Sequence, residues 1–491
     1  MSQLLYKWLK TNGVMLLNAA SLVATFCVKA GLGFAYWWVA ARQFSPGAVG
    51  FASAAISALT LLGTLCMLGF GTLLIRELPK QRGQEVVLIS TALILVAMAG
   101  GCIGLLFALG VPFFSVDLQP LRGSIQAVAL FAVGASLTAV NLVLDQALIG
   151  FLRGDLQLWR NILFASAKLV ALTLVSFWFA QRTGLSIFVT WTIGDAFSLL
   201  VLGGYAVIKR KWNGHVPLPR WNLLRRMGPL AMQHHLLNLL LIGPNYALPL
   251  LVTALLSTTM NAWFYIAFLI ADIVYVVPQA LVTALYAVSS AQPDVLMRKI
   301  RLSMGIALLT CLLTISILLP ASKLLLEIFG SGYADQGVWS MRILGLGAIP
   351  FLIKDHYVTI CRVQDRIART LLPLTYGAIL EVGLAILGAR LGSISGLSLG
   401  WVIAICIEAA FMFPTLYRTA WPRHLENIPD LYSAESGSDF LPLQPADDEM
   451  TLVLKALPLL TCGHRSDDRQ QSARFCRICG APVQKEEQEP A

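Results

Sequence analysis

Apolar runs long enough to cross a bilayer recur along this chain from end to end, which leaves few folds open to it. In hydrocarbon every backbone N–H and C=O must find a partner inside the protein, so continuous runs of this length form spanning helices. A span takes about 20 residues. Twelve candidates fall at roughly 14–41, 48–75, 86–114, 125–152, 162–180, 186–208, 229–256, 262–290, 301–320, 339–361, 370–390 and 393–417. Of the 491 residues, 57% are hydrophobic and only 13% charged, with a mean hydropathy of +0.73. Soluble domains carry about 25% charged residues, so the composition excludes them. The expected fold is an all-α polytopic membrane protein.

The net charge of +10 sits mostly in short loops between spans, which argues for topology and against nucleic acid as a partner. Lys7 and Lys10, Arg76 with Lys80 and Arg82, Arg153 and Arg160, and the cluster from Lys209 to Arg226 fall in alternate segments. Arg298 to Arg301, Arg362 to Arg369, and Arg418 with Arg423 continue the series, whereas the intervening segments hold single basic residues such as Arg122, Arg182 and Arg390. By the positive-inside rule both termini are cytoplasmic. The opening MSQLLYKWLK precedes a run too long for a signal-peptide core, so the first helix is expected to be retained. Membrane lipids are the expected surroundings.

Within the first run, Asn18 to Arg42, a lysine stands near the middle. Asn18, Ser21, Thr25, Lys29 and Tyr36 share one side of a helix, and an ionisable group inside a span marks a cavity or an ion path unless it snorkels or pairs with a neighbouring helix. Six spans precede the basic loop 209–228 and six follow it, which suggests an internal repeat. At a constant offset of 213, Ser21, Thr25 and Leu32 fall on His234, Asn238 and Asn245, while Lys29 falls on Ile242. The second span carries Ser53, Ser57, Thr60 and Thr64 at helical spacing, and the eighth carries Asp272, Tyr275, Gln279, Thr283 and Tyr286. Four such stripes are expected to face one cavity, although any one of them could be hydroxyls bonded to their own helix. Pro244, Pro249 and Pro278 are placed to kink the seventh and eighth spans and free backbone carbonyls.

The domain organisation expected is a six-helix lobe over 1–208, a connecting loop over 209–228, a second pseudo-symmetric lobe over 229–417, a cytoplasmic linker over 418–460 and a small tail over 461–491. In the tail, Cys476 and Cys479 form a C-x-x-C knuckle, and Cys462 with His464 supply two further ligands. This is a Cys3His set suited to structural zinc, and the piece is too short to build a core of its own. It resembles appended zinc-ribbon modules, although its first knuckle lacks the second cysteine. A cytoplasmic protein partner is expected for it. The other six cysteines stand singly in or beside apolar segments and form no disulfide framework.

Ionisable groups inside spans are Lys29, Asp145, Lys168, Asp195, Asp272, Lys354, Asp355, His356, Glu381 and Glu408. Both signs occur, so pairing inside the bundle accounts for many of them. Lys29, His234 and Asp272 are the functional candidates because each lies on a stripe. Arg42 and Arg76 stand at opposite ends of the first two spans, where an arginine fork suits phosphate oxygens or anchors to headgroups. No Walker sequence, G-x-S-x-G or H-E-x-x-H is present, so neither ATP hydrolysis nor proteolysis is indicated and no enzymatic activity is expected.

At Ala40–Ala54 (AARQFSPGAVGFASA) and Leu68–Pro79 (LGFGTLLIRELP) the chain resembles the Wzx-type polysaccharide flippases of the MATE-like superfamily. The resemblance implies two helical lobes around a central cavity that carries undecaprenyl-pyrophosphate-linked oligosaccharide across a bacterial inner membrane by alternating access. It implies that Lys29, Arg42 and Arg76 meet the anionic group. A coupling ion, H+ or Na+, follows from the superfamily, with Asp272 as its carboxylate, and Thr25, His234, Asn238, Asn245 and Gln279 complete the cavity set. Other readings are a MATE-type cation or drug antiporter, a membrane glycosyltransferase or polymerase, and a scaffold acting through the tail.

Overall fold

The computed structural model describes residues 28, 30–77, 85–113, 115–151, 154–178, 183–209, 221–291, 296–364 and 366–421. Every regular element among them is helical. The first helix, α1, is described over 30–43. It is followed by α2 (Pro46–Cys66), α3 (Phe70–Glu77), α4 (Glu85–Gly110), α5 (Ile125–Gly150), α6 (Gly154–Trp178) and α7 (Gly184–Lys209). After the connecting loop come α8 (Trp221–Leu255), α9 (Thr258–Ala271), α10 (Ile273–Ala291), α11 (Leu296–Glu327), α12 (Ser331–Leu346), α13 (Ala348–Val363) and α14 (Ile367–Ala420). Gly392 and Ser393 leave helical geometry inside α14 and divide it into two limbs.

Nine helices among the described residues are long and apolar enough to cross a membrane, or ten when the bent pair α9 and α10 counts as one span. That figure takes α14 as a single helix. The twelve expected from the sequence also need the first span, of which the residues before 28 lie outside the described set.

Helix starts follow the sequence. Ser45, Ser124 and Ser257 cap α2, α5 and α9, their hydroxyls accepting from Ala48 N at 3.3 Å, Ala127 N at 3.1 Å and Met260 N at 3.1 Å. Pro46 adds a fixed φ where no N–H is needed. Burial sorts the helices by their surroundings. α4 is apolar on all sides and leaves Met98 and Leu106 exposed, as a helix facing lipid does, whereas α2 is buried along most of its length and is rich in Ala, Ser and Gly. α2 packs on α5 and α7 of the first half and on α8 and α9 of the second, so it lies at the join.

Three expected spans are broken. The second divides into α2 and α3 at Leu68 and Gly69, both with positive φ, inside the L-G-F-G run. The eighth divides into α9 and α10, bent by 48° at Asp272, and Pro278 further along α10 denies the carbonyl of Val274 its helical donor. The tenth is interrupted at Gly347, between α12 and α13.

The polar stripe on α2 does not line a cavity. Thr60 and Thr64 donate to Ile56 O and Thr60 O of their own helix. Ser53 donates to Gly50 O and meets Asn261 of α9.

Candidate functional site

Two of the three breaks converge. Asp272 stands at the bend between α9 and α10, Leu344 lies in the last turn of α12 beside the Gly347 break, and Asn245 lies between Pro244 and Pro249 of α8. These three, with Tyr275, Gln279 and Trp401, line one cleft of about 10 Å³, close to the space one water occupies. Discontinuous helices are where membrane transporters place substrate and ion sites, because broken turns leave carbonyls and helix ends without intrahelical partners. Tyr275 fixes one wall: its hydroxyl donates to Leu344 O at 2.7 Å. Gly347 leaves the room, since a Cβ there would stand 2.9 Å from that hydroxyl oxygen.

Two polar groups in the cleft are available. The Asp272 side chain is solvent-accessible although it sits among buried neighbours, and no donor among the described residues bonds its carboxylate. Asn245 Oδ1 is buried and has no hydrogen-bond partner among them either. A buried acceptor beside an accessible carboxylate, with Gln279 opposite, is an oxygen-rich set suited to a small cation or an N–H donor.

Behind the cleft lies a charge cluster whose members come from three separate stretches. Lys354 of α13 is fully buried and pairs with Glu381 on the first limb of α14; it also lies 2.9 Å from Glu408 Oε2 on the second limb. Trp401 connects this cluster to the cleft, donating its indole N–H to Glu381 Oε2 at 2.7 Å while its ring lines the Asp272 space. His356 is satisfied by Ser303 at 3.0 Å and by Leu352 O at 2.9 Å.

The acids of the first half are engaged in a different way. Arg160 forks onto Asp145, both contacts at 2.7 Å, and donates to Asn141 Oδ1. Asn141 and Thr138 in turn donate to Asp195 at 2.7 and 3.0 Å. Lys168 is buried among aromatic rings, 3.5 Å from the Trp191 centroid, 4.5 Å from Phe164 and 4.8 Å from Tyr36. Tyr36, expected on the wet face of the first span, bonds Ile187 O and Thr190 instead.

The two halves meet at the end of the bundle that carries Arg42. Arg42 Nε and Trp38 Nε1 both donate to Ile328 O, at 2.9 and 3.1 Å, and thereby satisfy the carbonyl end of α11. Asp117 Oδ2 accepts from Thr258 N at 2.7 Å at the start of α9. Asn261 Nδ2 donates to Gly50 O at 2.8 Å and Ser53 Oγ at 3.0 Å. There α2 and α9 touch backbone to backbone, and a Cβ on Gly50 would overlap the Thr258 carbonyl. Deeper in the bundle His235 Nε2 lies 3.1 Å from Leu65 O, a second link between the halves.

Of the residues singled out by the sequence, Asn245, Asp272 and Gln279 share the cleft. Arg42 is engaged at the join. Asn238 accepts from Arg362 at 2.6 Å, and His234, half-buried, lies beside the linking His235. Thr25 and Lys29 lie outside the described residues, as do the side chain of Arg76 and all four expected zinc ligands, Cys462, His464, Cys476 and Cys479. Sequence patterns did not single out Trp401, and they left Lys354, Glu381 and Glu408 in an undifferentiated set of intramembrane charges, because the contacts among them join helices far apart in the chain.

No family model and no curated protein matches the sequence. Solved structures do match its fold. An inward-facing conformation of a multidrug resistance MATE family transporter of the MOP superfamily aligns with a TM-score of 0.64 and 14% identity over 83% of this chain and 97% of the other. An outward-facing conformation of such a transporter aligns with a TM-score of 0.60 and 13% identity over 83% and 95%. A MOP superfamily transporter from Pyrococcus furiosus, described as having a binding pocket of reverse polarity, gives 0.61 and 13% over 83% and 96%. The chain has the fold of these transporters.

Proposed function

We propose that this protein is a membrane transporter of the alternating-access type, and that its cargo is a lipid-linked oligosaccharide carried across a bacterial inner membrane. The transport part rests on one observation: an accessible carboxylate, Asp272, stands where two broken spans, α9–α10 and α12–α13, meet α8 and the second limb of α14, between two halves joined at the Arg42 end by hydrogen bonds that can be exchanged for water. The cargo part rests on sequence, namely the runs Ala40–Ala54 and Leu68–Pro79 and the intramembrane Lys29, whose ammonium suits a pyrophosphate. With both termini cytoplasmic, the Arg42 end is the outer one.

Depleting the protein and assaying lipid-linked intermediates tests this: they accumulate on the cytoplasmic face if the reading holds, and Lys29→Ala abolishes export while the protein still inserts. A second reading, a cation-coupled antiporter of small molecules, is favoured by the Asp272 cleft itself, which offers oxygen acceptors to a cation. Loss of resistance to cationic drugs, with no lipid-linked intermediate building up, selects that reading. A coupling ion, H+ or Na+, fits either one, with Asp272 as its site.

For the tail we propose a structural zinc on Cys462, His464, Cys476 and Cys479, and a cytoplasmic protein as its partner. One equivalent of zinc in the purified protein, lost in Cys476→Ser, supports the metal. Transport unchanged on removal of 426–491 supports a recruiting role.

A further inference from the structure

Among the described residues, two that are not glycine have positive φ, Leu68 at 48° and Ser393 at 57°. Ser393 turns the chain between the limbs of α14. Leu68 stands inside an expected span, next to Gly69 at φ 81°, and splits that span into α2 and α3. A leucine is unfavourable in this left-handed region, and such a conformation persists only where the surrounding structure holds it.

Part of what holds it comes from the other half. The turn runs through tight bonds, Met67 N to Thr64 O at 3.3 Å and Phe70 N to Met67 O at 2.8 Å. The carbonyl of Leu65, which the N–H of Gly69 meets in a continuous helix, accepts from Nε2 of His235 on α8 at 3.1 Å, and His235 is buried. α3 packs on α5 and α8. Phe70, Leu73 and Leu74 share a core with Leu88, Val143 and Ala147, so α3 belongs to the first half and meets α8 as its neighbour across the join. α2 is thus tied to the second half at two levels, Gly50 and Ser53 to Asn261 and Leu65 to His235, about 22 Å apart at the rise of a helix.

We propose that the α2–α3 break is a two-state hinge, in which Leu65 O exchanges the His235 donor of the second half for the Gly69 N–H of its own helix. In the bent state, which the structure has, Leu68 is strained and the halves are joined at Leu65. In the straight state Leu68 and Gly69 take helical geometry, α2 and α3 run on as one helix and α3 parts from α8. The inner end between the halves opens while the Asn261 bonds hold the outer end, and His235 turns its N–H to the water that enters. Leu65 O is paired in both states, so the exchange strands no buried carbonyl. The hinge supplies an inner gate to the alternating-access reading, on which it rests.

Pulsed electron–electron distance measurement tests it, on the full chain in phosphatidylcholine liposomes with noncanonical spin-labelled residues at 77 on α3 and 232 on α8. A short and a long population are expected. Gly69→Ala should raise the ratio of long to short about tenfold and Leu68→Gly should lower it about tenfold, because glycine takes positive φ freely and weakens a helix interior while alanine does the reverse. Leu68 is exposed, so its replacement costs little packing. His235→Phe keeps a ring and removes the donor, and should also favour the long distance. The two backbone variants shifting the ratio in the same direction, or neither shifting it, overturns the proposal. So does a folded His235→Phe with the distribution of the unmodified protein. The distances are read without cargo, whereas the transport reading stands on lipid-linked intermediates and drug resistance, so failure of the hinge is distinct from failure of that reading.

Discussion

Trp401 donates its indole N–H to Glu381 Oε2 at 2.7 Å while the same ring walls the cleft that holds Asp272. One side chain therefore borders both the cleft of the accessible acid and the buried charge cluster. Trp401→Phe keeps most of the aromatic surface and removes the donor. Leaving a buried carboxylate oxygen unpaired costs about 1–3 kcal/mol, so the variant should melt at lower temperature in detergent, and its transport rate should fall by more than the loss of folded protein explains.

Lys354→Met leaves two glutamates facing one another without a counter-ion. Breaking a buried ion pair by removing one partner costs about 3–5 kcal/mol, enough to reduce the folded yield sharply. Neutralising one acid in addition, as in Lys354→Met with Glu408→Gln, should recover part of the loss. A double-mutant cycle on thermal stability reads the coupling, and strict additivity would show that the cluster does not act as a unit.

The two kinds of intramembrane aspartate separate cleanly. Asp272 is accessible and unbonded, so Asp272→Asn should leave the melting temperature nearly unchanged and lower transport by at least about tenfold. Asp145 receives both arms of Arg160, so Asp145→Asn should destabilise by about 3–5 kcal/mol because it strands a buried guanidinium. Transport assays and melts on the same two preparations check both halves of the contrast.

Gly50 lets α2 and α9 meet at their backbones. Gly50→Val forces them apart and displaces the Asn261 bonds. In the transport reading this holds the Arg42 end open: spin labels placed near 45 and 257 should report a longer distance, and transport should stop. An unchanged distance would show that the contact closes nothing.

Much of this protein was legible in its sequence, for a physical reason. The bilayer requires each spanning segment to satisfy its own backbone, so length and hydropathy alone mark the helices, and Pro278 lies close to the bend between α9 and α10, whereas α8 runs unbroken through Pro244 and Pro249. Helical spacing likewise put Asp272 and Gln279 on one face, and Asn245 on a stripe of its own. Periodicity says which residues share a face, not what that face meets. The stripe on α2, which reads like those of α8 and α10, closes on its own carbonyls and on Asn261, and Tyr36 turns to α7. The pairing of Lys354 with Glu381 and Glu408, the place of Trp401 between them and Asp272, and the gap that Gly377 leaves over Glu408 were decided by the packing of α13 against both limbs of α14. Local propensity carries no information about such contacts; they exist only once the helices are packed.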